Sequence, residues 1–441
     1  MRNKEKKPAR NASHSDAGGE TVAIIGLGYV GLPLALITAE KGYKVYGFDL
    51  DKKKIEKIKK GQSPFKEEFI EERKNLLPKI NASTNPAVIK KADIVIVCVP
   101  TPVDEKFYPI LDPLTSAVEI IIANRKPKQL VIIESTINPG VCEEVLEPIF
   151  AKNKLKEGHD YYMAHCPERI DPGNKKWNVL NLPRVVGSMS KTGLQRAVNF
   201  YESIIEGQIR PMKSIREAEA VKIMENSFRD INIAFVNELA KSFDIMGIDI
   251  KDVIEGASTK FSFMPHWPSR GVGGHCIPVD PYYLIERAKQ SGFDHKFLRA
   301  AREINNSMPA YTVEIMRDLL NDLKLPMKDT PIGVMGLSYK ANIDDLRESP
   351  SLKIIAELKK KGANVIRFDP FIKDLSDVKD LKTFLKKSKA VILVTNHQMF
   401  LDVKPKTFKE NKILAIVDGM NCLDKEAIKR AGIKYRGIGR R

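Results

Sequence analysis

Long hydrophobic runs are missing from this sequence of 441 residues. None of its apolar stretches approaches the roughly 20 consecutive apolar residues that a membrane-spanning helix needs. The N-terminal segment also lacks the apolar central part of a secretion signal. These absences argue against a membrane-embedded or secreted protein, and they predict a soluble, cytoplasmic protein without a membrane partner.

Cysteine is also scarce, with five residues at positions 98, 142, 166, 276 and 422. The number is odd and no two cysteines have the short spacing of zinc or redox motifs, which favours a reducing compartment. His165 and Cys166 are adjacent, as are His275 and Cys276. Because neighbouring residues cannot easily both bind one tetrahedral ion, we predict that the protein holds no metal.

Acidic residues are outnumbered, since 73 Lys and Arg against 56 Asp and Glu give a formal net charge of +17. Part of the excess lies in residues 1–19, whose few large apolar side chains predict a disordered basic tail. Elsewhere, lysines in helix-like segments are mixed with glutamate, as on an ordinary solvated face. We therefore expect no nucleic-acid partner, although dispersed positive charge would attract a small anionic ligand.

Short β-branched runs alternate with helix-like segments in both halves of the chain. In the first half, these runs lie at residues 21–26, 43–49, 94–99, 130–134 and 184–186. Near the C-terminus they lie at residues 331–335, 364–368, 390–395 and 413–417. Between the two sets, residues 214–246 have apolar side chains at spacings of three and four without glycine or proline, which predicts one long helix.

This pattern predicts an α/β protein with two Rossmann-like, doubly wound parallel-sheet domains joined by a helical middle domain. The predicted boundaries place the first α/β domain at residues 20–212, the helical middle at 213–325 and the second α/β domain at 326–441. A loop rich in proline and glycine interrupts the middle domain at residues 265–281.

A glycine-rich turn follows the first strand and opens a helix. It consists of Gly26, Leu27, Gly28, Tyr29, Val30 and Gly31. The first glycine permits the turn, the second lets the backbone approach a pyrophosphate, and the third allows close helix packing. Asp49 ends the next strand, where a carboxylate accepts ribose hydroxyls and repels a 2′-phosphate, so the pattern predicts NAD rather than NADP.

Two simpler interpretations of this segment stay open. The glycines could serve a tight turn without a ligand. Lys54, five residues after Asp49, could approach the adenosine end of the cofactor or lie on a solvated helix face.

Cys276 lies in a loop that contains Gly271, Gly273 and Gly274. The other four cysteines are expected to be inert small hydrophobes. No apolar periodicity accounts for Cys276, and the glycines keep the backbone open for a ligand, so the context of Cys276 differs from that of the other four cysteines.

A cysteine thiol that acts as a nucleophile needs a nearby cation. Because a free thiol has a pKa of about 8.5, little thiolate exists at neutral pH without one. Lys222 is the candidate cation, and Asn226 shares its helix face at a spacing of four residues. A lysine and an asparagine on a solvated helix are the alternative interpretation.

The order of several motifs resembles that of the nucleotide-sugar 6-dehydrogenases, the family of UDP-glucose, UDP-N-acetylglucosamine and UDP-N-acetylmannosamine dehydrogenases. The resemblance runs from Val22 to Asp418 and is carried by the glycine turn at 26–33, Val-Pro-Thr-Pro at 99–102, Glu-Ser-Thr at 134–136, Cys-Pro-Glu-Arg at 166–169, Lys222 with Asn226, Gly-Gly-His-Cys at 273–276 and Arg-Glu-Ser-Pro at 347–350. It implies an NAD-binding domain, a middle domain that forms a homodimer through its central helix, and a C-terminal domain that binds the UDP-sugar.

The resemblance also implies the chemistry and the residues for it. The C6 hydroxyl of a UDP-sugar would be oxidised to a carboxylate through a thiohemiacetal and a thioester on Cys276, with Lys222 and Asn226 donating to the C6 oxyanion. Asp280 and Thr136 would position water or the hydroxyl, although an aspartate before a proline commonly only starts a turn. Glu168 would be the general base.

The implied NAD contacts are Gly26, Gly28, Tyr29, Val30, Gly31, Asp49, Lys54, Pro100, Thr101 and Thr136. The implied UDP-sugar contacts are Glu168, Arg169, Lys222, Asn226, Gly273, Lys340 and Arg347, of which Lys340 and Arg347 would reach the phosphates.

The family motifs narrow the choice of substrate sugar without identifying it. The UDP-glucose branch resembles a pattern with a second glutamate four positions after Glu168, whereas this chain has Pro172 there. His275 and the segment Arg302–Pro309 are instead similar to the N-acetylhexosamine branch, in which residues 171–174 resemble the glucosamine enzymes and residues 165–169 the mannosamine enzymes. We therefore expect a UDP-N-acetylhexosamine for surface polysaccharide synthesis. A UDP-glucose dehydrogenase and a non-catalytic NAD- or UDP-sugar-binding protein are the alternatives.

Overall fold

The computed structural model describes residues 19–65, 67–104, 108–169 and 176–441. Nearly all of the predicted basic tail therefore lies outside the described residues, as does the segment 171–174 that bears on the sugar epimer. The chain divides into two compact units, Met1–Ile223 and Met224–Arg441, which we call unit 1 and unit 2.

Unit 1 is built on a single twisted sheet. Across its described part, the strands are β1 (Thr21–Ile25), β2 (Lys44–Phe48), β3 (Asn81–Ser83), β4 (Ile94–Val97), β5 (Gln129–Ile133), β6 (Tyr161–His165), β7 (Arg184–Ser188) and β8 (Ile209–Pro211). Their order in the sheet is β3-β2-β1-β4-β5-β6-β7-β8. This order reverses direction between β1 and β4, as in a doubly wound fold.

Helices cover both faces of this sheet. The helices of unit 1 in the described ranges are α1 (Gly31–Glu40), α2 (Lys52–Lys59), α3 (Glu68–Glu72), α4 (Asp112–Ala123), α5 (Glu147–Lys152) and α6 (Lys191–Ile204). Every residue of β4 and β5 is buried. Alternate residues of β1 enter different cores, because Val22 and Ile24 belong to one apolar cluster whereas Ala23 and Ile25 belong to another. Burial on both faces is what a run of continuous β-branched residues predicts.

One strand pair departs from the predicted parallel arrangement. β7 is antiparallel to β6, with His165 opposite Gly187. A parallel neighbour needs a crossover, which is usually a helix. The described residues between these strands, 166–169 and 176–183, contain no helix, so an antiparallel return is the simpler connection.

Unit 2 contains the second sheet. Its strands in the described residues are β9 (Pro331–Met335), β10 (Asn364–Phe368), β11 (Ala390–Leu393), β12 (Ala415–Asp418) and β13 (Lys434–Gly437). They are all parallel, in the order β10-β9-β11-β12-β13. The bounds of β9 and β10 are those predicted from the sequence. The prediction of two doubly wound α/β domains with a helical middle region is confirmed.

The helices of the middle segment and of unit 2 include the long one predicted from periodicity. They are α7 (Ile215–Met246), α8 (Ile250–Ala257), α9 (Asp280–Gln290), α10 (Lys296–Asp322), α11 (Pro350–Lys360), α12 (Leu381–Lys387), α13 (Gln398–Leu401), α14 (Pro405–Glu410) and α15 (Lys425–Arg430). α10 packs against α11 and β12, so most of the middle segment belongs to the compact unit of the second sheet. The separate middle domain with boundaries at 213 and 325 stays a prediction.

Within the ranges that the structure describes, no helix is long and apolar enough to cross a membrane.

Candidate active site

The carboxyl ends of β1, β4 and β5 meet at one edge of the unit 1 sheet. The turn after β1 is joined to β2, because the Gly26 amide donates to the Phe48 carbonyl at 2.9 Å. The loops after β4 and β5 are joined by Thr101, whose hydroxyl donates to the Thr136 carbonyl at 2.7 Å. Ligands of doubly wound sheets bind at this edge where the strand order reverses, so the predicted residues Pro100, Thr101 and Thr136 lie where a dinucleotide would bind.

The glycines of the turn have three different surroundings. Gly26 has a φ of +89°, and a Cβ there would lie 2.5 Å from the Cys98 carbonyl oxygen. A Cβ at Gly31 would lie 2.0 Å from the Gly26 oxygen, whereas a Cβ at Gly28 would have nothing within 4 Å. Gly26 and Gly31 are therefore required by the turn and its packing. The open space beside Gly28 fits the close approach of a pyrophosphate.

The Asp49 carboxylate lies beside this turn, directly after β2, and we call this place the ribose corner. It is nearly buried, and it accepts from the Leu27 amide at 2.8 Å and from the Asp51 amide at 2.9 Å. Lys54 donates to the same carboxylate at 2.6 Å. One oxygen therefore receives two donors and the other receives one, which leaves acceptor capacity for a ribose hydroxyl. The interpretation of Lys54 as a solvated helix lysine is wrong, because its ammonium group lies at the predicted ribose corner.

Tyr29 and Val30 complete the turn. The Tyr29 ring stacks on Phe65 at a centroid distance of 4.4 Å and remains about half exposed. Val30 precedes the first residue of α1. The α1 N-terminus therefore follows directly on the open Gly28 position, and helix N-termini bind anions through their amides.

A buried ionic cluster lies next to the Thr136 loop, and sequence reasoning missed it. Arg184, at the start of β7, lies 3.0 Å from Glu134 and 3.5 Å from Glu168. The Tyr201 hydroxyl donates to Glu134 at 2.5 Å. Burial raises the pKa of Glu134 to about 7, against the opposing effect of Arg184. Glu168 had been assigned a role from the family motif, whereas nothing in the local sequence signals its pairing with Arg184.

The start of α7 is anchored to the loop after β5. The buried Glu219 carboxylate accepts from the Gly140 amide at 2.5 Å and from the Cys142 amide at 2.9 Å. Lys222 lies one turn further along α7, and Asn226 lies one turn after Lys222. The helix that carries this predicted pair is therefore fixed at its N-terminal end to the loop that follows Thr136.

Cys276 lies in a tight turn before α9 in unit 2. Its carbonyl accepts from the amides of Val279 and Asp280 at 3.0 and 2.8 Å. Its Sγ atom lies 3.2 Å from Nδ1 of His275, and the residue is partly exposed. A partly exposed thiol beside an imidazole is typical of a reactive cysteine.

Cys142 and Cys166 belong to the apolar cores of unit 1, and Cys98 packs against one of these cores. Burial raises the pKa of the Cys166 thiol to about 12 and holds the thiols of Cys98 and Cys142 well above the usual range. Burial also lowers the pKa of the neighbouring His165 to about 3. Among the residues that the structure describes, no group of three or more His, Cys, Asp and Glu side chains is arranged to hold a metal ion.

Asp280 is the first residue of α9, and it does more than open a turn. Asn226 donates through Nδ2 to Asp280 Oδ2 at 2.5 Å, and both side chains are nearly buried. An amide nitrogen carries two hydrogens, so this bond leaves one for another acceptor. The structure thus brings Asn226, Asp280 and Cys276 into one neighbourhood of unit 2.

The segment after β9 packs on the Cys276 loop. A Cβ at Gly273 would lie 2.6 Å from the Tyr339 side chain, and the Gly274 amide donates to the Arg347 carbonyl at 3.0 Å. Arg347 forms a forked pair with Asp345 at 2.6 Å, and this hydrogen bond is the main reason that the pKa of Arg347 is raised. Cys276 is among the lesser causes of that shift, so the guanidinium lies within electrostatic reach of the thiol. Sequence reasoning had assigned only Lys222 as a cation for this thiol.

Comparison with known proteins identifies the family. Models of the UDP-glucose/GDP-mannose dehydrogenase family match residues 20–205 (NAD binding domain), 216–307 (central domain) and 333–425 (UDP binding domain). A UDP-N-acetyl-D-mannosamine dehydrogenase from Pyrococcus horikoshii is 34% identical over 95% of this chain and 99% of its own length.

A further relative and a solved structure show the same likeness. A UDP-N-acetyl-D-glucosamine 6-dehydrogenase from Pseudomonas aeruginosa is 37% identical over 80% of this chain and 83% of its own. The solved structure of a UDP-D-ManNAc dehydrogenase from Pyrococcus horikoshii covers 95% of this chain and 99% of its own, with a TM-score of 0.89 and 33% identity. The chain therefore belongs to the UDP-glucose/GDP-mannose dehydrogenase family, and it is an enzyme of the dehydrogenase class.

Proposed function

We propose that this enzyme oxidises the C6 hydroxyl of a UDP-N-acetylhexosamine to a carboxylate, with two NAD per sugar and a covalent intermediate on Cys276. The observation that carries the proposal is the partly exposed Cys276 thiol beside His275, in the same unit as the Asn226–Asp280 pair. The printed names of the relatives support the substrate class, since they include both an N-acetylmannosamine and an N-acetylglucosamine enzyme. The choice between the two epimers stays open, as does the predicted role in polysaccharide synthesis.

The glycine turn and the ribose corner of unit 1 fit NAD. The open position at Gly28 would admit the pyrophosphate, and the α1 N-terminus would face it with backbone amides. Asp49 would accept from a ribose hydroxyl, with Lys54 beside it. When bound, NAD accepts the hydride that leaves C6 in each of the two oxidations.

Cys276 retains the C6 aldehyde between those two oxidations. Its thiolate adds to the C6 aldehyde, the aldehyde oxygen takes up a proton, and the product is a thiohemiacetal. Oxidation of this adduct leaves a thioester. Because the aldehyde is bonded to the protein, it is not lost before the second oxidation. Lys222 and Asn226 would donate to the oxyanion at C6.

Hydrolysis completes the reaction. A water molecule adds to the thioester carbon, the carbon–sulfur bond breaks, and the carboxylate leaves while Cys276 recovers its thiol. Glu168 would take the proton of that water, and Asp280 with Thr136 would position it. The overall balance is one alcohol, two NAD and one water giving one carboxylate, two NADH and three protons.

Lys340 and Arg347 would bind the diphosphate of the substrate. Arg347 uses Nε and Nη2 for Asp345. Because a guanidinium group carries five N–H donors, Nη1 remains for a phosphate oxygen. Gly273 and Arg169 are proposed to contact the sugar, as the family motifs imply.

A parallel assay tests the proposed substrate. NADH formation is followed by absorbance with UDP-N-acetylmannosamine, UDP-N-acetylglucosamine and UDP-glucose, and each assay is repeated with NADP. We expect turnover with at least one N-acetylhexosamine, weak or no turnover with UDP-glucose, and a preference for NAD. Turnover with UDP-glucose alone would support the alternative branch. Binding without NADH formation from any substrate would favour the non-catalytic alternative.

Two glycine substitutions separate cofactor binding from folding. Gly28→Ala adds a methyl group where nothing lies within 4 Å, so the fold should be unchanged while the affinity for NAD falls roughly tenfold or more. Gly31→Ala places a methyl group 2.0 Å from the Gly26 oxygen, so we expect a loss of about 1–3 kcal/mol in the free energy of unfolding. Calorimetric titration with NAD and thermal melting without it distinguish the two. Equal loss of stability in both variants would contradict this assignment.

A homodimer through α7 is part of the proposal. Met224, Phe228 and Phe235 are exposed by 71%, 43% and 54%, and their spacings of four and seven residues place them on one helix face. Such an apolar face on a helix favours pairing with a second copy.

Charge on that face should disrupt the dimer. We expect wild-type protein at twice the chain mass of 49.6 kDa, and the Phe228→Glu, Phe235→Glu variant at the chain mass, by light scattering after size exclusion. Leu352→Glu is the matched control, because Leu352 is an exposed apolar residue on α11 of the same unit. A double variant that keeps the dimer would show that another surface forms it.

A further inference from the structure

Arg184 is a charged residue in an unusual place. It opens β7, yet only 2% of its surface is exposed. Burying a guanidinium group is unfavourable unless carboxylates compensate the charge. Arg184 has two such partners, Glu134 at 3.0 Å and Glu168 at 3.5 Å. The cluster therefore holds one cation and two carboxylates.

The two carboxylates are held differently. Glu134 is fully enclosed and receives both the Arg184 Nη1 donor and the Tyr201 hydroxyl on one oxygen. Glu168 keeps 11% of its side chain exposed, and Arg184 faces it through the other nitrogen, Nη2. Glu134 is thus the anchor of the guanidinium group, and Glu168 is its accessible partner.

The surroundings of Glu168 come from five elements of unit 1. Arg184 lies on β7 and Tyr201 on α6, whereas Glu134, Cys98 and Cys166 follow directly on β5, β4 and β6. Burial keeps both thiols and the Tyr201 hydroxyl protonated by raising their pKa values. The charged residues beside Glu168 are therefore Glu134, Arg184 and the adjacent Arg169, whose backbone amide donates to Glu168 Oε1 at 2.5 Å.

We propose that Arg184 is a positioning residue for the general base: its guanidinium group, anchored by Glu134, holds the Glu168 carboxylate in place for thioester hydrolysis. This inference rests on the proposed function. Arg184 touches neither substrate nor cofactor in this role and acts only through Glu168. The proton that Glu168 takes from the attacking water is released to solvent from its exposed edge.

Variants of the cluster should change the pH profile in a defined way. Arg184→Lys keeps the positive charge but loses the two guanidinium nitrogens that face Glu134 and Glu168 separately. We therefore expect the acid limb of the kcat profile to move upward by roughly one pH unit. Arg184→Met combined with Glu134→Gln removes the buried pair as a unit, and the limb should move further upward. Glu134→Gln alone keeps the guanidinium group and an amide oxygen that can still accept from Arg184 and Tyr201. Its acid limb should therefore stay in place.

A second readout follows the intermediate itself. If Glu168 loses its support, hydrolysis becomes the slow step, and the thioester on Cys276 should accumulate. Intact-protein mass spectrometry after acid quench is expected to show a larger acylated fraction for Arg184→Lys than for wild type below neutral pH. Arg302→Lys is the matched control, because Arg302 forms a buried pair with Asp230 at 2.5 Å in unit 2. That control should melt at lower temperature but keep the wild-type acid limb.

The outcomes separate this inference from the proposed function. No NADH formation by wild-type protein with any UDP-sugar would overturn the proposed function, whatever the variants do. With an active wild type, an unchanged acid limb in Arg184→Lys and in the double variant would overturn the role of Arg184. An upward shift in Glu134→Gln equal to that in Arg184→Lys would also overturn it, because general disruption of the core would then explain both.

Discussion

Replacing Cys276 with serine is expected to reduce formation of the UDP-uronic acid by about 10³-fold or more. A serine hydroxyl is far less acidic than a thiol, so it supplies no anion for addition to the aldehyde. The first oxidation does not need the thiol, and a small amount of free aldehyde should therefore be detectable. Product analysis by liquid chromatography with mass spectrometry measures both compounds.

The control for this variant is Cys422→Ser. Cys422 is also partly exposed, but burial and the charge of Asp418 hold the pKa of its thiol well above the usual range. We expect activity within a factor of about two of wild type. Retention of uronic acid formation by Cys276→Ser would contradict covalent catalysis, provided that both variants melt at similar temperatures.

The second large effect is expected from Asp280→Asn, with kcat lower by roughly 10²-fold and KM for the UDP-sugar little changed. The amide oxygen of the new side chain can still accept from Asn226, so the 2.5 Å contact is replaced by a neutral one of similar shape. What is lost is the charge that is proposed to orient water or the C6 hydroxyl. Steady-state kinetics over a range of substrate concentrations separates kcat from KM.

Asp112→Asn provides a matched comparison. Asp112 also opens a helix immediately before a proline, at the start of α4, but it is exposed. Both substitutions remove a favourable charge at a helix N-terminus, so a loss of kcat in the Asp280 variant alone reports on catalysis. Equal kinetic effects in the two variants would show that Asp280 only starts its helix.

Local sequence patterns were sufficient for much of the fold. β9 and β10 were predicted with their observed bounds because β-branched runs between helical segments are typical of buried parallel strands. The glycine turn and Asp49 were predicted together, since the turn, the pyrophosphate approach and the ribose contact each require one residue type at a known spacing. Those features depend on residues that are neighbours along the chain or within one βαβ unit.

Features that depend on distant residues could not be predicted. β6 (Tyr161–His165) was missed because it ends in a histidine that only tertiary packing buries. Arg184 has its first partner 50 residues earlier, so its role could not be inferred from a local pattern. Asn226 and Asp280 are 54 residues apart, and only the family resemblance suggested that they act together. The roles of the predicted site residues remain predictions, although the structure shows which of them lie together within each unit.

The amount of NADH formed per UDP-sugar tests the covalent four-electron mechanism most directly. With limiting UDP-N-acetylhexosamine and excess NAD, the reaction is followed to completion by the absorbance of NADH, and the sugar product is identified by mass spectrometry. We expect two NADH per sugar and a uronic acid as the product. One NADH per sugar with release of a stable aldehyde would contradict this mechanism.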